Sequence, residues 1–166
     1  MSDTGKAFWD FTLKLYGKPG VSPALIGLQD RLGADVNLLL FCCWAATHEA
    51  ELADGDLAAA DRAVAGWREQ VVEPLRGIRN RIKAGIPGGV PTDGAMAFRK
   101  RVLELEIAGE EIAQHAIAAT LPGGKAEGAP SATARRNLGR YLARLAKPAG
   151  AEDRQAVDAV VTACFG

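Results

Sequence analysis

The chain offers few side chains of the types and spacing that metal chemistry requires. Its two histidines lie near glutamates, as in His48-Glu49 and Glu111-x-x-x-His115. Di-iron helical bundles use Glu-x-x-His pairs, and zinc hydrolases use His-Glu-x-x-His. Because neither spacing occurs here, the sequence favours solvated helix faces and predicts no metal and no cofactor. Glu111 and His115, four residues apart, are expected to form a weak exposed pair.

Nucleophilic and phosphate-binding chemistry also lack a recognisable motif. Residues 85–89, Gly-Ile-Pro-Gly-Gly, are not followed by the Lys-Ser/Thr of a phosphate-binding loop. Cys42 and Cys43 are adjacent, and neighbours on a helix point about 100° apart, which disfavours a bond between them. We interpret them, with Cys164, as small apolar side chains in a reducing compartment. The sequence therefore predicts no catalytic residue and favours a protein that is not an enzyme.

Two polar side chains, Asp35 and Asn37, stand at the start of the most apolar segment of the chain. One interpretation is a small-molecule site formed by Asp35, Asn37 and Trp44. The other is that Asp35 caps a helix and Asn37 bonds backbone or water. An unpaired buried Asn costs about 1–3 kcal/mol, so Asn37 is expected to have a partner. The simplest role for Trp44 is a core cluster with Trp9 and Trp67.

Four basic residues form a candidate anion- or partner-binding stripe: Arg68, Arg76, Arg79 and Lys83. On an uninterrupted helix they lie within about 80° of one another, although Pro74 falls between Arg68 and the other three. Such a stripe could meet phosphate, a carboxylate-rich partner or an RNA backbone. The alternative is internal pairing with acidic residues of a later helix: Glu104, Glu110 and Glu111.

The elements that must position these residues are helices. The 166 residues are 48% hydrophobic, only 6% aromatic, and carry 20 basic and 20 acidic side chains. An alanine-rich chain with few aromatic and β-branched residues favours helices. Its length suffices for one domain without disulfides or metals. The zero net charge argues against a general nucleic-acid-binding role.

The segment Ala34–Ala46, ADVNLLLFCCWAA, predicts the central element of the fold. A helix that is apolar on every side must be surrounded by other elements. We predict a buried central helix over about 35–52, which emerges where polar residues return at 47–51. The apolar run is too short to span a membrane, and the first residues lack a signal-peptide pattern. A cytoplasmic location is therefore expected.

Capping and breaker residues predict a bundle of six or seven helices. Besides the central helix, the helical segments cover residues 7–16, 23–32, 57–72, 75–84, 94–121, 131–146 and 152–165, which with the central helix makes seven when 57–72 and 75–84 count as one. Pro74 makes 75–84 either a kinked continuation of 57–72 or a new helix. On helix 94–121, an apolar stripe that includes Leu105 and Ile112 is expected to be buried, and the acidic side opposite is expected to be solvated. The fold class is all-α, a single-domain helical bundle over residues 1–166.

The first half of the chain resembles a bacterial family of unknown function, DUF2390, also described as the TIGR02444 family. The matching features are Phe8-Trp9, the segment from Leu15-Tyr16 to Pro19-Gly20-Val21, Leu28-Gln29, the string from Gly33 to Phe41, and Trp44. The resemblance covers about residues 7–84, and the string ADVNLLLF is its most specific part. It implies a small, cytosolic, helical protein and lends no activity, cofactor or catalytic residue.

Three kinds of function follow from these features. The first is a protein-interaction or adaptor domain that acts through another protein, by way of its basic stripe or acidic helix face. The second is a small-molecule-binding or catalytic helical domain with a pocket near Asp35 and Asn37. The third is RNA or ribosome association through the basic stripe. We favour the first, because no credible catalytic set accompanies the charged faces; nucleic acid is less favoured, and no membrane partner is expected.

Overall fold

The computed structural model describes residues 2–124 and 126–166. Within these ranges the chain is all-helical and contains no strand, which confirms the predicted fold class. The helices are α1 (Asp3–Tyr16), α2 (Val21–Leu32), α3 (Val36–Thr47), α4 (Asp54–Trp67), α5 (Glu73–Ala84), α6 (Thr92–Ala118), α7 (Pro130–Ala143) and α8 (Ala151–Phe165). The connection predicted at 122–130 includes Lys125, which lies outside the described residues. None of the described helices combines the length and apolar character needed to cross a membrane.

The chain divides into two compact units. Unit 1 contains the residues up to Ala63 and those from Gln114 to Gly166, and unit 2 contains Val64–Ala113. In unit 1, α3 packs most extensively on α7, and α2 packs most extensively on α8. The boundaries of the two units therefore fall within α4 and α6.

Helix α3 is the central element of unit 1, as predicted. Every residue from Asn37 to Ala46 is buried, and α1, α2 and α7 all contact the helix. Burying a large aliphatic or aromatic side chain contributes about 1.5–3 kcal/mol. This uniformly apolar helix is therefore stabilised by the neighbours that surround it.

The end of α3 differs from the prediction. The helix stops at Thr47, whereas the sequence predicted a helix over about 35–52. Glu49 has a φ of 54°, in the left-handed region that interrupts a helix. The fully buried Asn137 of α7 donates its side-chain amide to the Ala50 carbonyl oxygen at 3.0 Å. A hydrogen bond from a distant helix thus stabilises the turn, and local polarity does not reveal it.

The helix passes through Pro74 without a break. Residues Arg68–Val72 form a π-helical segment, in which the Glu73 N–H donates to the Arg68 carbonyl, and Pro74 is the second residue of α5. Of the two predicted alternatives, residues 75–84 therefore continue the preceding helix and do not start a new one. Counted as one helix, the stretch from 54 to 84 brings the described part of the chain to seven helices, within the predicted number.

The faces of α6 differ from the predicted ones. Leu105 and Ile112, expected to be buried, are 59% and 47% exposed, while Glu106 and Gln114, expected to be solvated, are 6% and 1% exposed. Both buried polar side chains have hydrogen-bond partners on other helices. Hydrophobic periodicity does not register such partners, so it misassigns these four side chains, although Val102 and Gly109 of the predicted stripe are buried as expected.

Candidate functional site

The polar start of α3 is a helix cap. The Asp35 carboxylate accepts the Asn37 backbone N–H at 2.8 Å, as an N-cap residue does. The Asp35 N–H donates to the Tyr141 hydroxyl oxygen at 2.8 Å, and burial raises the pKa of Tyr141. The capping alternative for Asp35 is thus present in the structure.

A buried chain of side-chain hydrogen bonds joins three helices of unit 1. The Thr12 hydroxyl donates to the Gln114 Oε1 at 2.8 Å, and the Gln114 Nε2 donates to the Asn37 Oδ1 at 2.9 Å. All three residues are buried, so these bonds lie where an unpaired polar group would be costly. The sequence predicted that Asn37 has a partner. It missed Thr12 and Gln114, because the linked residues are 77 and 102 positions apart.

The tryptophans do not form the predicted core cluster. Trp44 is 2% exposed and stacks on Phe8, with ring centroids 4.9 Å apart, and it also contacts Phe41. Trp67 is 36% exposed, and its indole N–H donates to the Gly109 carbonyl oxygen at 2.9 Å. Trp67 therefore lies at the surface of unit 2, and its predicted place in a core cluster is wrong.

Neither histidine has the surroundings of a metal ligand. His48 is the C-cap of α3, and its Nδ1 lies 3.0 Å from the Trp44 carbonyl oxygen. Both ring nitrogens of His115 are buried without a hydrogen-bond partner among the described residues. The predicted pair of Glu111 with His115 is therefore wrong, because the ring lies against Gly5 of α1 instead. Over residues 2–124 and 126–166, no group of three potential ligands could hold a metal ion.

The cysteine thiols are not activated. Cys42 and Cys43 are buried and unbridged, and burial raises the pKa of both thiols. Cys164 is half-buried, and burial raises its pKa to about 11. The nucleophilic form of cysteine is the thiolate. The thiol form of all three therefore predominates at neutral pH.

Two residues of the basic stripe form ion pairs within unit 2. Arg76 donates to the Glu106 carboxylate at 3.1 Å and to the Glu110 carboxylate at 2.6 Å. Arg79 donates to the other oxygen of Glu106. Glu106 is 6% exposed, so its charge is buried between two guanidinium groups. Arg76 and Arg79 are thus paired internally, with Glu110 among the predicted partners and with Glu106, which the sequence did not single out, as the partner that they share.

The other two stripe residues lie elsewhere on the same continuous helix. Arg68 begins the π-helical segment, whose wider turn changes its phase relative to α5. Lys83 lies at the exposed end of α5. Partner binding by this stripe stays a prediction.

Unit 2 carries most of the exposed apolar surface of the described residues. Of ten large apolar side chains that are exposed, eight lie in this unit: Trp67, Ile78, Val90, Met96, Phe98, Leu105, Ile107 and Ile112. Exposed apolar side chains scattered singly are ordinary, but a concentration of them indicates an interaction surface. The sequence did not reveal this surface, because its periodicity predicts that Leu105 and Ile112 are buried.

Four of these exposed side chains, together with the half-buried Leu75 and Ile82, form one face of the hairpin made by α5 and α6. We define the hairpin face as Leu75, Ile78 and Ile82 of α5 with Phe98, Leu105 and Ile112 of α6. These residues recur at i, i+3, i+7 on α5 and at intervals of seven on α6, so each set follows one helix face. Ile82 and Phe98 line the same cavity of about 300 Å³, which places the two sets on one side of the hairpin.

A second cavity, of about 600 Å³, lies between α7 and α8 in unit 1. Its walls include Leu142 and Val157, and the ion pair of Arg135 with Asp158, at 3.0 Å, lies at its rim. Neither of these two cavities is lined by the predicted ligand-binding residues Asp35, Asn37 and Trp44. Ligand binding by those three residues stays a prediction.

These features define an all-helical protein with an exposed apolar helical hairpin. The chain belongs to the family DUF2390, described as a protein of unknown function, whose model matches residues 7–117. The match confirms the family predicted from the first half of the chain. It extends past the predicted 7–84 to include the hairpin and nearly all of α6, and it ends before α7. No curated protein and no solved structure matches the chain.

Proposed function

We propose that this protein is a non-enzymatic protein-interaction domain and that the hairpin face is its binding surface. The observation that supports the proposal is the concentration of exposed apolar side chains in unit 2, where Leu105 is 59% exposed and Phe98 is 56% exposed. Burying apolar surface against a partner is favourable, and part of the gain offsets the freedom that the two molecules lose on association. The proposal therefore assigns binding to apolar contacts.

The alternatives have less support. Small-molecule binding at Asp35 and Asn37 would have to displace the hydrogen bonds that already hold the cap and the buried chain. RNA association through the stripe would have to use Arg76 and Arg79, which already pair with glutamates. Neither alternative gains a specific observation in its favour.

We also propose that the protein acts in the bacterial cytoplasm. The family resemblance implies a bacterial protein. Fractionation of bacteria that express the chain tests this location, which recovery from the periplasm would contradict.

Site-specific photo-crosslinking in living bacteria tests the binding surface. Leu105 is replaced by a photoreactive phenylalanine analogue, and Leu13 of α1, which is 54% exposed, serves as the matched control. We expect irradiation to give a discrete crosslinked protein from position 105 and none from position 13. No crosslink from position 105, or the same products from both positions, would overturn the proposal.

A further inference from the structure

The hairpin face has an apolar pattern that is nearly symmetric along its length. On α6, Leu105 lies midway between Phe98 and Ile112, seven residues from each. On α5, Ile78 lies three residues after Leu75 and four before Ile82. A pattern of this kind is nearly unchanged when the direction of the helix is reversed.

The two midpoints lie at the same level of the hairpin. Arg76 and Arg79, which flank Ile78, both donate to Glu106, the residue next to Leu105. A two-fold axis through Ile78 and Leu105 therefore brings each helix onto its own copy in antiparallel orientation. Leu105 then meets its counterpart, and Phe98 meets Ile112 of the second copy.

The charges beside the apolar row of α6 match under the same axis. Arg101 is exposed four residues before Leu105, and Glu111 is half-exposed six residues after it. In the antiparallel arrangement Arg101 lies at the level of position 109 of the second copy, and Glu111 of that copy is about 3 Å further along in helical rise. At 100° per residue, Arg101 and Glu111 lie about 40° and 120° from Leu105 on the same flank of α6, and the two-fold axis keeps that flank of both copies on one side. The symmetry produces this opposite-charge pair twice.

One of the two helices of the hairpin contributes no buried residue of its own. Helix α5 contains no buried residue, and Ile78 is 39% exposed. Two-helix hairpins gain a common core when they pack as a four-helix bundle. An isologous dimer uses one self-complementary surface on both copies, and the nearly symmetric apolar pattern of the hairpin face meets this requirement.

We infer that the occupant of the hairpin face is a second copy of this chain, so that two hairpins form an antiparallel four-helix bundle. This inference rests on the proposed function, since it names the partner of the same surface. The apolar symmetry and the matching charges of Arg101 and Glu111 favour a second copy over an unrelated partner.

Sedimentation equilibrium of the purified full chain tests the dimer. The expected mass is twice the 17.4 kDa of one chain. Leu105→Glu is expected to raise the dimer dissociation constant at least about tenfold, because it places a charge at the centre of the interface. The matched control Leu13→Glu introduces the same charge at a similarly exposed position and leaves the mass unchanged.

Two gain-of-signal variants test the arrangement of the copies. Leu105→Cys, in a Cys164→Ser background, is expected to form a disulfide-linked dimer on oxidation, because the axis passes through residue 105; Leu13→Cys is expected to form none. Arg101→Glu should weaken the dimer, and Arg101→Glu combined with Glu111→Arg should restore it. Circular dichroism verifies that each variant keeps its helicity.

A monomeric mass at every attainable protein concentration would overturn the inference, as would a dimer that Leu105→Glu leaves intact. A monomer that crosslinks to another protein from position 105 also overturns it, but leaves the proposed function standing. A monomer with no crosslink from position 105 overturns both.

Discussion

Asn137 illustrates how one buried side chain determines where a helix ends. Its amide donates to the carbonyl oxygens of Cys42 and Ala50, and its Oδ1 accepts the Leu52 N–H at 2.8 Å. A carboxylate cannot donate these hydrogen bonds, and an apolar side chain would leave buried backbone groups unpaired. The residue is therefore specified by the backbone around it, which belongs to another part of the sequence.

Gly5 provides a test at the same scale. A Cβ at this position would lie 2.0 Å from the Nδ1 of His115, so we expect Gly5→Ala to force the ring aside and lower the free energy of unfolding by about 1–3 kcal/mol. Gly139→Ala on α7 meets no atom within 4 Å and should instead raise it by about 0.5–1 kcal/mol. Urea denaturation followed by circular dichroism measures both changes. A gain in stability for Gly5→Ala as large as that for Gly139→Ala would show that His115 does not occupy this place.

At the scale of elements, α5 is an amphipathic helix that is held to α6 by ion pairs and not by a buried apolar stripe. None of its residues is buried, yet Arg76 and Arg79 both reach the buried carboxylate of Glu106 on α6. Removing one partner of a buried ion pair leaves uncompensated charge, which costs more than the pair itself contributes. Among the side chains that join α5 to α6, Glu106 should therefore contribute most to the free energy that holds α5 in place.

Glu106→Gln tests this attachment. We expect it to lower the free energy of local opening of α5 by about 3 kcal/mol, because two guanidinium groups lose the charge between them. Hydrogen exchange of the amides of α5 reports this opening directly. The control is Glu104→Gln, which changes an exposed residue of α6. It should change the free energy of local opening of α5 by less than about 0.5 kcal/mol. Unchanged exchange in Glu106→Gln would mean that other contacts hold α5.

At the scale of the whole molecule, the family match and the folded units do not have the same limits. The match ends at residue 117, yet α3 packs most extensively on α7, which begins at Pro130. Tyr141 and Asn137 of α7 hydrogen-bond the two ends of α3. The core of unit 1 therefore depends on residues beyond the matched region.

The acid stability of unit 1 should depend on Asp153. The Gly150 N–H and the Arg31 guanidinium both donate to this carboxylate and lower its pKa below the ordinary 3.8. A folded-state pKa below the unfolded value stabilises the fold above about pH 4, and this contribution is lost as the pH falls through the lowered pKa.

We therefore expect Asp153→Asn to be less stable than the natural chain at pH 7 and to approach its stability below pH 4. Asp158→Asn, at an ion pair whose carboxylate side is 61% exposed, is the control and should differ little at any pH. Urea denaturation across this range measures both variants. A difference for Asp153→Asn that persists undiminished in acid would contradict the assignment.

Local sequence patterns predicted the helices well and their surroundings less well. The uniformly apolar stretch before Thr47 could only be a surrounded helix, and the cap at Asp35 follows from residue type alone. The end of α3 depended on Asn137, and the role of Gln114 depended on Thr12 and Asn37. Those partners are far away in sequence, so no local pattern contains them.

The sequence by itself determined the all-helical class, the central place of α3 and the family, because periodicity, capping residues and the string ADVNLLLF are local properties of the chain. Only the tertiary structure decided which polar side chains are buried and which apolar ones are exposed. Glu106 is buried because two arginines from another helix neutralise it, and Leu105 is exposed because nothing in the described chain covers it. Burial is set by contacts between distant residues, and for that reason the candidate binding surface emerged only from the folded chain.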